Sequence, residues 1–120
     1  MTEPYKLWIA LGALAGLLAV AAAAGAAHLA VDAGSARALG SAVQMQGWHA
    51  LALVSVGLWG ARGGRLGHAA GAAFALGILL FCGTVYAGAL GAPYFGPLAP
   101  IGGTLLMAGW ALLGVSALRR

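Results

Sequence analysis

Charge is what this sequence has least of. Only 7% of its 120 residues are charged, and the two acids are Glu3 and Asp32. A soluble domain carries about 25% charged residues, so this chain lacks the polar surface to cover a water-soluble globule. No carboxylate lies inside a long apolar stretch. That argues against a Ser-His-Asp hydrolase and against a pump of ions or charged solutes, which needs acids or bases within the membrane. Cysteine is also scarce: Cys82 stands alone, which excludes an intrachain disulfide and a multi-cysteine metal site. It reads as a small apolar residue. No Gly-x-Gly-x-x-Gly follows a strand-like segment, so no phosphate-cradling loop is expected.

The net charge of +4 comes from six Lys and Arg. Lys6, Arg62, Arg65, Arg119 and Arg120 sit at the chain ends or in a short connection, a membrane-flanking pattern rather than a nucleic-acid patch. What the chain has in quantity is apolar sequence, 62% of residues, in blocks near the ~20 residues that cross a bilayer as a helix. Expected spans are 7–27, 43–61, 67–91 and 100–118. The fold class is therefore all-α: a polytopic membrane protein with four transmembrane helices in an up-down bundle, residues 1–120 forming one domain. A cleaved signal peptide competes for the first block, but that block is long for such a segment and more membrane sequence follows. Ser35 is expected to cap a short helical turn at 35–39 in the first connection. Pro100 is expected to open the fourth span, where its missing N–H has no helical partner to lose.

If four spans alternate, Lys6, Arg62, Arg65, Arg119 and Arg120 fall on one side and only Arg37 on the other. The positive-inside rule then gives an N-in, C-in orientation. Tyr94 and Phe95 read as an outer aromatic belt, and Trp8 and Trp59 as the inner one.

Alternation gathers the unusual residues in the outer half. His28 ends the first span, Gln44, Gln46 and His49 open the second, and Tyr86 closes the third. Gln46 and His49 are three apart and share a helix face, while Gln44 and Trp48 lie on a neighbouring stripe. His49 would lie about 9 Å inside its span at 1.5 Å per residue, too deep to reach water. It needs a partner, with Tyr86, Gln46, His28 or a backbone carbonyl near Pro100 as candidates. Two readings stand side by side. The cluster is an interhelical hydrogen-bond clamp, or it is a site for a small molecule, lipid or quinone, with His28 at its mouth. His28 near the surface and His49 deeper make a poor pair of haem ligands, and no metal or other cofactor is expected. Tyr86 and Trp110 are expected to pack rather than react. Gly12, Gly16, Gly83, Pro100, Gly102 and Gly103 are the candidate positions for close helix approach or backbone adjustment.

Four ordered segments carry a family resemblance. They are Gly25-Ala26-Ala27-His28-Leu29, Gln44-Met45-Gln46-Gly47-Trp48-His49-Ala50-Leu51, Gly77-Ile78-Leu79-Leu80-Phe81-Cys82-Gly83-Thr84-Val85-Tyr86, and Pro100 to Gly103 with Gly109-Trp110. Together they resemble the small bacterial inner-membrane proteins called domain of unknown function 423, similar to the eukaryotic transmembrane protein 256 group. Cys82 stands where that family usually has serine, and Trp48 where it usually has tyrosine. The resemblance implies a four-helix protein of the bacterial inner membrane and brings no activity with it. The function expected is that of a non-enzymatic structural or accessory membrane protein. Its partners would be membrane lipids and other membrane-protein subunits or further copies of itself, with no nucleic acid.

Overall fold

The computed structural model describes residues 3–29, 32–93 and 96–119. Tyr94, Phe95 and Arg120, assigned above to the aromatic belt and the basic carboxyl end, lie outside them. The described residues are almost entirely helical, with no strand among them. Helix α1 covers Glu3–Leu29 and is built mostly from alanine and leucine, which lose little conformational freedom in a helix.

Helix α2 covers Ala33–Trp59, so it starts well before the expected residue 43. Its cap is Asp32, not Ser35. The Asp32 backbone is extended, and its Oδ1 accepts the Ser35 N–H at 2.7 Å. A carboxylate at this position satisfies one of the free N–H groups of the first turn. Gly34 and Gly40 each cost about 1 kcal/mol relative to alanine, but the residues around them are good helix formers and the helix runs through. The Ser35 backbone hydrogen bond, followed by its side-chain bond, holds the Asp32 carboxyl below the usual carboxylate range.

A tight 3₁₀ turn, Gly60–Gly63, joins α2 to α3, Gly64–Gly77. Gly60 (φ 60°, ψ −136°) and Gly64 (φ 56°, ψ −145°) hold backbone conformations open essentially only to glycine. After α3 the helix widens into a π-helical turn, Ile78–Cys82, and resumes as α4, Gly83–Ala89. Helix α5 covers Leu98–Leu118. Pro100 thus sits inside the first turn rather than opening it, still within the stretch where a missing N–H costs nothing.

Three helical stretches are long and apolar enough to cross a membrane: Pro4–His28, Ala33–Ala89 and Leu98–Leu118. The expected second and third spans are parts of one 57-residue stretch. At 1.5 Å per residue it would be about 86 Å long if straight, yet the molecule is 48 × 26 × 19 Å. The stretch therefore folds back on itself at Gly60–Gly64. Cross-links agree: Tyr86 of α4 reaches Gln46 of α2, and the Cys82 thiol reaches the Ala42 carbonyl.

Helix α1 packs along α2, α3 and the π turn pack on α5, and α2 touches both groups. Phe74, Leu53, Leu106, Val56 and Cys82 are fully buried where these elements meet. Close approach is set by backbone. A Cβ on Gly12 would fall 2.7 Å from the Ala50 carbonyl oxygen, and one on Gly102 would meet the Phe81 nitrogen and lie 2.9 Å from the Leu80 carbonyl carbon. Neither helix pair can accept a side chain there without moving apart.

Candidate polar site between the helices

Helix α2 contributes two buried hydrogen-bonding side chains, Gln46 (6% exposed) and His49 (3%). The Gln46 amide donates to the Ala15 carbonyl of α1 at 2.8 Å, and its oxygen accepts the Tyr86 hydroxyl at 2.8 Å. One amide thus holds α1, α2 and α4 together. His49 faces another way. Its Nδ1 bonds the Met45 carbonyl one turn back at 2.5 Å, and its Nε2 lies 3.0 Å from the indole Nε1 of Trp110 on α5. A carbonyl can only accept and an indole N–H can only donate, so the tautomer with hydrogen on Nδ1 satisfies both contacts. Phe74 and Trp110 pack around the imidazole, with ring centroids 5.1–5.8 Å apart and edge-on or tilted planes, the favoured geometry of aromatic neighbours.

The candidates separate accordingly. Gln46 and Tyr86 meet; His49 is buried but bonds neither of them. Its partner is Trp110, which the sequence suggested only as a packing residue. Gln44 and Trp48 are exposed, and His28 is exposed in the last turn of α1. Of the glycines, Gly12 and Gly102 are at close approaches. Gly16 and Gly103 have ordinary contacts, and a Cβ on Gly83 would meet nothing within 4 Å. Sequence reading missed Gly109, which lies under the Phe74 ring, and Gly71, which lies under the Trp8 ring. It also missed a second histidine contact, in which His68 Nδ1 accepts the Trp8 indole N–H at 2.9 Å and the ring stacks on Tyr5.

Beside Gln46 lies a cavity of about 360 Å³ between α1 and the α3–α4 stretch. Leu11, Ala15 and Ile78 give it an apolar wall, and Gln46, Cys82 and Tyr86 bring polar atoms to it. Leu14, Leu18 and Leu79 at its rim are more than half exposed, so it opens sideways rather than to an end of the bundle. Among the described residues no three of His, Cys, Asp and Glu lie close enough to hold a metal ion.

A family model described as a protein of unknown function (DUF423) matches residues 21–103. The chain belongs to the DUF423 family. It is similar to a UPF0382 membrane protein of Haemophilus influenzae, 33% identical over 93% of this chain and 94% of that one. It is also similar to a UPF0382 membrane protein of Staphylococcus haemolyticus, 33% identical over 95% and 97%. No solved structure matches. The region matched by the DUF423 model contains Gln46, His49, Tyr86 and the π turn. Two partners of that set, Ala15 and Trp110, come from the flanking helices outside it.

Proposed function

We propose that this DUF423 member is a non-enzymatic protein of the bacterial inner membrane, crossing it four times with both termini in the cytoplasm. Its α2 helix acts as a hydrogen-bonding spine, and its small-residue faces are available to other subunits or to further copies of itself. One observation carries the clamp: both buried polar side chains of α2 bond to other helices, Gln46 to α1 and α4, His49 to α5. Lipid gives helices no hydrophobic reason to associate, so such bonds and close backbone packing must hold them. The four crossings are supported by the chain reversal at Gly60–Gly64 and by the basic residues flanking it.

The test is His49→Ala, compared with the parent in detergent. A melting temperature lowered with no change in co-purifying molecules supports the clamp. An unchanged melting temperature rejects it. The cavity beside Gln46 favours a second reading, an apolar ligand such as a quinone or lipid chain whose oxygen meets the amide and phenol. Gly83→Phe would project into that cavity from open space. Native mass spectrometry that finds a bound molecule in the parent and none in this variant would move the function to the cavity.

A further inference from the structure

Three of the chain's six cationic side chains line one cavity. Arg62 from the 3₁₀ turn, Arg65 from the first turn of α3 and Arg119 after α5 surround about 330 Å³, together with Gly63, Gly64 and Ser116. That volume falls within the roughly 300–1,000 Å³ of small-molecule sites. No acidic residue lines it, and α3 begins there with none in its first turn. Arg62 is also braced. Arg62 lies 5.7 Å from the centre of the Trp59 ring, within cation–π range. Trp59 donates to the Ser116 hydroxyl at 3.2 Å, and that hydroxyl donates to the Leu113 carbonyl at 2.6 Å. Bundle cohesion has no use for three like charges around a common space, since their mutual repulsion opposes it.

We propose that this cavity binds the phosphodiester of an anionic lipid, with the acyl chains lying along α5. Guanidinium forks match phosphate oxygens, and basic pockets between membrane helices take anionic headgroups. The choice of a lipid over a soluble anion comes from the surroundings. Leu66 lines the cavity itself, and Leu118 (87% exposed) and Val115 (45%), on α5 one and four residues before Arg119, are exposed apolar side chains. The site itself does not depend on the membrane orientation proposed above.

The experiment is native mass spectrometry and thermal melting of the whole protein in detergent with added phosphatidylglycerol, phosphatidylcholine or inorganic phosphate. The expected result is preferential retention of phosphatidylglycerol, falling about five-fold per arginine removed in R62Q, R65Q and R119Q. The combined R62K/R65K/R119K variant should keep much of the preference, because charge remains. Equal retention of both lipids by the parent overturns the proposal. So does undiminished preference in the folded triple glutamine variant. If that variant fails to fold, the single variants decide, and undiminished preference in all three overturns the proposal equally. Inorganic phosphate raising the melting temperature as much as phosphatidylglycerol does would assign the site to a soluble anion and overturn the lipid assignment.

Discussion

A primary amide buried among apolar helices has one oxygen and two N–H groups to satisfy, and Gln46 meets this need by joining two neighbouring helices. Measured interhelical hydrogen bonds in membranes average about 0.6 kcal/mol and reach about 1.7. Tyr86→Phe should therefore cost about 0.5–1.5 kcal/mol, read as a lowered melting midpoint in detergent. A double-mutant cycle with Gln46→Leu should return coupling of that order, whereas one pairing Tyr86→Phe with His49→Ala should be close to additive, because those side chains bond different partners. Strong coupling in the second cycle would mean that the two halves of the cluster act as one unit. The spacing of Gln46 and His49 made their joint burial legible. It could not tell that they serve different neighbours. Three residues along a helix differ by about 60° in direction, which suffices to aim one side chain at α1 and α4 and the other at α5. The partner of His49 was illegible for a related reason: an indole reads as bulk until the register of a neighbouring helix is known.

At the scale of elements, long apolar alanine-rich runs made the helices easy to see, and the short connection holding Arg62 and Arg65 between the second and third runs made the reversal visible. Helix ends were less so. Asp32 and Ser35 are both good caps, and only the backbone decided for Asp32. Its carboxyl is held below the ordinary range by the Ser35 bonds, so its contribution is fully present above the ordinary carboxylate pKa. That contribution is lost as pH falls through the lowered folded value. Amide-exchange protection at Ser35 and Ala36, relative to the intrinsic rate at each pH, should fall in that acidic window, and Asp32→Ala should abolish this change in protection. Which glycines face a neighbour was legible only in part: among 21 scattered through the chain, Gly12 and Gly102 were picked out and Gly71 and Gly109 were not. The adjacent pair in α5 makes the point testable. Gly102→Ala must push the π turn away and should destabilise by about 1–3 kcal/mol. Gly103→Ala, whose Cβ would sit 3.7 Å from the Phe81 ring, should be neutral or stabilising by up to about 1 kcal/mol through helix propensity. Equal effects at both positions would mean that α5 does not approach the π turn as described.

The whole molecule is 48 Å long, close to the ~40–45 Å of a bilayer with its headgroups. Helix α2 alone, at 27 residues, is about 40 Å, longer than the ~30 Å apolar core, so in the four-crossing arrangement proposed above it tilts or extends into the headgroup layer. The same geometry separates the polar ends. Arg62, Arg65 and Arg119 gather at one end, whereas Ser35 at the start of α2 and Gly88 near the end of α4 share a cavity at the other. Impermeant maleimide labelling of single cysteines, with Cys82 replaced by alanine, turns this into a measurement. Cysteines at exposed Ala33 and Ala92 should react in intact spheroplasts, and one at exposed Ala61 only after permeabilisation. The inverse pattern would keep four crossings and reverse the orientation. Labelling of positions 33 and 61 from the same side would mean that α2 does not cross, and the spine on which Gln46 and His49 sit would then lie along the membrane rather than through it.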